Sequence, residues 1–207
     1  MSKLLVLIGR SCVGKDTIQK ILTNEYGMER VATCTTRPPR NDEVDGVDYH
    51  FVNSVGTSIT GTKTVNLHED PSNWNHHLAE CTEYHVASGE TWYYGSLVRD
   101  YINSDNKVII LNPEGLKAVR KMKIPVFAVE ISSPDKDIKE RQKLRGDDPL
   151  EAERRFEQDK IDFANSYHIF DTCVINWGEG GPDRCARNIY DLYQYWLERN
   201  GEKDVED

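Results

Sequence analysis

The run from Lys3 to Ile8, "KLLVLI", is apolar at five successive positions and shows no alternation. A run of that kind suits a strand buried on both faces of a parallel sheet. From Asp16 to Glu25 the period changes: Ile18, Ile21 and Leu22 recur at helical spacing. The two periods then alternate down the chain. Lys107–Leu111 ("KVIIL") and Val126–Ile131 ("VFAVEI") read as further buried strands, and Cys173–Asn176 as a short one. Glu114–Lys121, Pro134–Leu144 and Asp183–Asn200 read as helices. The last carries Ile189, Leu192, Tyr193 and Trp196, which predicts a face packed on the core. Strands alternating with helices predict an α/β fold with a mostly parallel central sheet.

Residues 33–94 break this alternation. They are rich in Thr, Asn, Asp and Gly, with short β-like pieces such as "DYHFV" and "EYHVA". The pattern predicts one domain whose core is built from 1–32 and 95–207, interrupted by a β-rich insertion at 33–94. Within the insertion, residues 54–78 have weak periodicity and read as a long loop or hairpin of unassigned role. The tail "GEKDVED" is acidic and expected to fray.

Composition narrows the classes. A chain of 207 residues supports one sizeable core. No window approaches the roughly 18 consecutive apolar residues of a membrane span. The N-terminal apolar run leads straight into a glycine loop, so it reads as a strand rather than a signal peptide. Five cysteines, an odd number without a C-x-x-C pair, predict reduced thiols and a cytoplasmic location. The net charge of −9 argues against a nucleic-acid binder, which needs a broad basic surface. Arginines gathered at one point still allow a small-anion site.

Two motifs supply that point. "GRSCVGKDT", residues 9–17, follows the first strand and precedes the first helix. It fits G-x-x-x-x-G-K, the phosphate-binding loop, in which inward-turned N–H groups and a helix N-terminus hold phosphate oxygens. Gly9, Arg10, Ser11, Cys12, Val13, Gly14, Lys15, Asp16 and Thr17 are therefore the candidate residues for the donor nucleotide. Asp16 stands where the motif has a Ser or Thr hydroxyl for magnesium. The second motif is "TTRPPRNDEVDGVDYHF", residues 35–51. Arg37 and Arg40 flank Pro38 and Pro39, with Glu43 and Tyr49 downstream. Two guanidiniums and a phenol suit a phosphate monoester; a solvated surface loop is the other reading of the same residues.

Together the motifs resemble the guanylate kinase family. Thr33, Thr35, Thr36, Arg37, Pro39, Arg40, Glu43, Gly46, Asp48, Tyr49 and Phe51 fall in register with that family's long central segment. "EYHVASGETWYYGS" is similar to the segment that follows, with two extra residues before Tyr94. "RQKLRGDD" and "EAERRF" resemble the arginine-bearing lid, and "VIN" the strand end near the adenine. Only residues 54 to about 78 fall outside the likeness.

The resemblance implies a P-loop kinase fold with an inserted acceptor-binding subdomain and a helical lid near residues 141–156. It implies ATP as donor, GMP or dGMP as acceptor, Mg2+ as cofactor, no membrane partner, and a monomer or homodimer. Lys15 would hold donor phosphates, and Asn176 would lie at the adenine. Arg37, Arg40, Tyr49 and Tyr94 would grip the acceptor phosphate, with Glu43 beside them. Glu83 would read guanine, with Glu80 as its rival; Thr33 and Ser96 would assist at the base. Arg141, Arg145 and Arg155 would act with Lys15 and Arg37 in catalysis. The family carries an acid near the strand end where this chain has Ile110 and Asn112. Asn112 therefore joins the acceptor set, and Asp16, with Thr17, becomes the candidate magnesium ligand. A plain helix-capping role is the other reading of Asp16. The same departures resemble ribose 1,5-bisphosphate phosphokinases, so that acceptor, or a broader range of deoxynucleoside monophosphates, stays open. So does a non-catalytic guanylate kinase-like binding module.

Overall fold

The computed structural model describes residues 3–40, 43–52, 78–86, 88–97, 101, 106–122, 124–164 and 166–201. The chain runs β1 (Leu4–Ile8), α1 (Lys15–Tyr26), β2 (Glu29–Arg30), β3 (Thr33–Thr35), β4 (Tyr49–Phe51), β5 (Leu78–His85), β6 (Thr91–Leu97) and β7 (Lys107–Ile110). It continues through α2 (Pro113–Lys121), β8 (Val126–Ser132), α3 (Asp135–Arg145), α4 (Pro149–Phe163), a 3-10 turn at Ser166–His168, β9 (Thr172–Ile175) and α5 (Gly181–Gly201).

One sheet has the order β2-β7-β1-β8-β9, and its strand pairs are parallel. β1 lies in its middle, which explains the unalternated apolar run. Leu5 and Leu7 join a cluster with Ile18 and Leu22 of α1 and Ile189 and Tyr193 of α5. Leu4, Val6 and Ile8 face the other way, into a cluster with Leu116 and Val119 of α2. Burying each such side chain is worth roughly 1.5–3 kcal/mol, so β1 holds both layers of helices. On α5, Ile189 and Tyr193 are buried and Trp196 packs on the core, whereas Leu192 is exposed. That one position departs from the predicted core face.

The eight elements read from hydrophobic period are present within one or two residues of their predicted ends. Two others in this part of the chain carry no such period, although the resemblance places the start of α4 in the helical lid near residues 141–156. β2 is too short to carry a period. α4 has few buried positions, but "DDPLE" signals its start: Asp148 caps by accepting from Glu151 N at 2.9 Å, and Pro149 follows.

The second sheet has the order β4-β3-β6-β5. β3 pairs β4 in parallel and β6 antiparallel, and β5 pairs β6 antiparallel. Of the loop predicted at 54–78, residues 54–77 lie outside the described residues, as do those after Gly201, and Leu78 instead opens β5.

Candidate active site

The loop between β1 and α1 turns on two glycines. Gly9 has φ 149 and Gly14 φ 101, both in the region that favours glycine. A Cβ at Gly9 would collide with the Ile131 carbonyl oxygen, and one at Gly14 with the Asn176 amide. The loop is thus pressed against the sheet from behind. Asn176, expected at the adenine, is 1% exposed and donates Nδ2 to the Val13 carbonyl at 2.8 Å. It braces the loop from inside the core.

Helix α1 starts from Gly14 with no side-chain capping bond. Asp16 is exposed and places its charge in the first turn, where the capping reading expects a negative charge to favour the helix N-terminus. Thr17 beside it is also exposed. Lys15 Nζ donates to the carbonyls of Gly9 and Arg10, each at 2.7 Å. Burial lowers the Lys15 pKa, and the nearby Asp16 and Asp159 carboxylates oppose that shift. Ser11 N, one of the amides such a loop offers to phosphate, donates to Asp159 Oδ2 at 2.5 Å. Arg10 turns to Asp135 at 2.6 Å. Cys12 takes φ 61 and accepts from Arg141 Nη1 through its carbonyl at 3.2 Å.

Across a cavity of about 540 Å³ lies the second sheet, contributing Tyr49, Tyr94 and Thr33 to the wall. Arg37 is 4% exposed; its Nη2 donates to both Glu43 carboxylate oxygens at 2.7 and 2.9 Å. Its guanidinium sits 5.4 Å from the Tyr49 ring. Burial pushes the Tyr49 phenol up to about 12. Arg40 is more exposed, and its backbone N donates to Glu43 at 2.8 Å. Burial lowers the Arg40 pKa, and so do the charges of Arg37, Arg145 and Arg155, against the pull of Glu43. The arginines of the second motif and those of the lid therefore share one electrostatic field.

The lid is α3, a turn at Gly146 (φ 76), and α4. Arg145 forks onto Asp147, with Nε donating at 2.8 Å. Arg155 lines the cavity and donates Nε to Glu151 at 2.7 Å.

Other predicted residues lie elsewhere. Ser96 is fully buried and hydrogen-bonded to the Tyr101 hydroxyl, outside the cavity wall. Asn112 lines the cavity, but its amide has two structural tasks. Oδ1 caps α2 by accepting from Gly115 N at 2.7 Å, and Nδ2 donates to Thr82 Oγ1 at 3.1 Å. Glu83 reaches the wall from a strand row it shares with exposed Cys81 and His85. Its side chain is 59% exposed, with His85 Nε2 4.0 Å away. In an antiparallel pair, directly opposite residues share a face. Thr82 is opposite Tyr94 and Glu80 opposite Ser96, so Glu80 holds a register position in the Thr82–Tyr94 row.

Sequence reasoning missed Tyr84, Arg154 and Asp159, all on the cavity wall. The signal available for the last two was spacing: Asp159 lies one helical turn beyond Arg155 and next to Gln158, on the helix face that carries the Arg154–Arg155 doublet.

A glycine loop between a buried parallel strand and a helix, facing gathered arginines, places this chain in the class of P-loop α/β kinases. A model of the guanylate kinase family matches residues 1–177. The chain is 31% identical over 178 residues to the guanylate kinase of Mycobacterium leprae, covering 84% of this chain and 79% of that one. It is 28% identical over 182 residues to a guanylate kinase of Thermus thermophilus, covering 84% and 74%. The crystal structure of guanylate kinase from Anaplasma phagocytophilum matches with a TM-score of 0.60 and 18% identity, over 94% of this chain and 85% of that chain, a likeness of fold. The chain belongs to the guanylate kinase family. Among the described residues, no helix is long and apolar enough to cross a membrane.

Proposed function

We propose that the protein transfers the γ-phosphoryl group of ATP to GMP or dGMP, giving ADP and the nucleoside diphosphate. The observation that carries this reading is the cavity between the loop that bears Lys15 and the sheet that bears Tyr49 and Tyr94, with Arg155 on its wall. The donor phosphates would take the loop amides, Ser11 N among them, and Lys15 would turn to them from its own loop carbonyls. Arg37, Arg40, Tyr49 and Tyr94 would hold the acceptor phosphate. Arg141, Arg145 and Arg155 would supply positive charge where the transferring group needs it. Transfer is then a matter of in-line positioning, with no covalent enzyme intermediate. Closure of the acceptor sheet and lid over both substrates would exclude water.

A carboxylate in the Glu80–Glu83 strand would read guanine. Its oxygens accept from the ring N1–H and the exocyclic amine, a donor pair that adenine lacks. Register supports Glu80 for this task.

The family implies magnesium with ATP. The exposed Asp16 carboxylate and Thr17 hydroxyl, in the turn that follows the loop, are oxygen donors that fit it. Magnesium takes one or two protein oxygens and leans on substrate phosphates and water for the rest. When bound it neutralises charge on the phosphate oxygens. Asp16→Asn should raise the magnesium needed for half-maximal rate with little change in melting temperature; an unchanged magnesium dependence would remove Asp16 from this role.

The decisive assay is ADP release from ATP across the common nucleoside monophosphates, with ribose 1,5-bisphosphate included. GMP and dGMP should give the highest kcat/KM. Turnover with ribose 1,5-bisphosphate alone would replace the acceptor, and no turnover with any of them would point to a binding module.

A further inference from the structure

The β5–β6 hairpin reaches past the acceptor residues and meets the lid. Tyr84 of β5 lies opposite Trp92 of β6, and their rings stack with centroids 6.3 Å apart and planes at 17°. Two arginines of α4 rest on this pair. The Arg154 guanidinium sits 4.9 Å from the Tyr84 ring centroid, and Arg155 sits 5.1 Å from it and 6.0 Å from Trp92. Arg154 Nη2 donates to the Tyr84 hydroxyl at 2.6 Å. That hydroxyl lies 3.4 Å from Glu151 Oε1, the same oxygen that accepts from Arg155 Nε at 2.7 Å. A phenol keeps its proton at neutral pH and can accept from Arg154 while it donates toward Glu151; burial pushes this one up to about 12.

Arg155 is a long side chain with several rotamers, and a guanidinium acts on a phosphoryl group only when held in place. Its Nε is taken by Glu151, and no partner of its Nη groups is found among the described residues. Those two groups are the part of the fork that remains for a phosphate.

We infer that Tyr84, stacked on Trp92, is a positioning residue: it holds Arg155 over the cavity and ties the lid to the acceptor sheet. The contact couples the two moving parts, so a lid arginine arrives with the acceptor site and not independently of it. This inference rests on the phosphotransferase reading, and its test separates the two.

Tyr84→Ala, Tyr84→Phe, Arg155→Ala and the Tyr84→Ala/Arg155→Ala double variant should be compared by steady-state kinetics and by hydrogen exchange of residues 149–163. Tyr84→Ala should lower kcat about tenfold or more, the scale of a lost desolvated cation–π contact, with KM for GMP nearly unchanged. Tyr84→Phe keeps the ring and should recover most of that loss. The double variant should be no worse than Arg155→Ala, because Tyr84 acts through that arginine. α4 should exchange faster in Tyr84→Ala than in Tyr84→Phe. Full kcat in Tyr84→Ala, or losses that multiply in the double variant, would overturn the inference. If the wild type turns over no monophosphate, the proposed function fails. Hydrogen exchange then still decides the contact, since unchanged α4 protection in Tyr84→Ala would show that Tyr84 does not hold the lid.

Discussion

The loop around Lys15 and the sheet around Arg37 are built on different physics. The loop is fixed by backbone: Gly9 and Gly14 in conformations few other residues adopt, and Asn176 bound to Val13 O. The segment that joins β3 to β4 in the second sheet is tied by charge. Arg37 is locked to Glu43 and Arg30 to Asp48, while α4 is held to β5 through Arg154 and Tyr84. A backbone cradle tolerates pH and salt. An ion-paired segment is adjustable, which suits the closure proposed above.

Guanine reading should show the largest effect on the sheet side. A carboxylate paired with guanine becomes a misplaced donor as an amide, and mismatches of that kind can reject a substrate by about 10⁴-fold. Glu80→Gln should therefore collapse GMP use while ATP binding, followed by calorimetry, survives. Glu83→Gln should do little. The reverse pattern would show that register is a poor guide to this hairpin.

On the loop side, Lys15→Ala should lower kcat/KM by roughly 100- to 1000-fold, the range for losing one preorganised donor to developing charge. Circular dichroism should show an intact fold, since the glycines and Asn176 remain. Near-normal turnover would refute the phosphate-loop assignment.

The charge-tied segment should also show in a pH series. Burial raises the Glu43 pKa, but the Arg37 fork and the Arg40 amide outweigh it, and the carboxyl is held below its ordinary 4.5. A depressed pKa contributes stability above the unfolded value that disappears as pH falls through the folded one. The wild type should thus lose more melting temperature than Glu43→Gln between about pH 5 and pH 3. Parallel acid curves would mean that the pair adds nothing to stability.

The smallest predicted change runs the other way. Asp159 accepts from Ser11 N, one of the amides proposed for the donor phosphates. Asp159→Ala removes a competing charged acceptor, so KM for ATP should fall by up to about tenfold, given the strength of hydrogen bonds to charged groups. A rise in KM would instead make Asp159 a contributor to donor binding.

Much of this architecture was legible in the sequence, because the central strands are buried on both faces and their periods are undiluted. β1, the loop and α1 are contiguous, so the motif's geometry follows from nearest neighbours. The arginine motif was legible for the same reason: Arg37, Arg40 and Glu43 pair within six residues. What the sequence left open depends on strand register and on contacts far apart in the chain. Counting residues across a lengthened hairpin favours Glu83; pairing across it favours Glu80, because a strand's two faces alternate and a hairpin conserves faces rather than spacing. Ser96, expected at the base, goes inward to Tyr101. Asn176, expected at the nucleotide, turns toward the loop's back, where the close approach of Gly14 and Gly181 leaves room only for its flat amide. Asp159 and Ser11 are 148 residues apart. Only the packing of α4 over the loop brings that carboxylate to the amide, and no local pattern in the chain encodes the crossing.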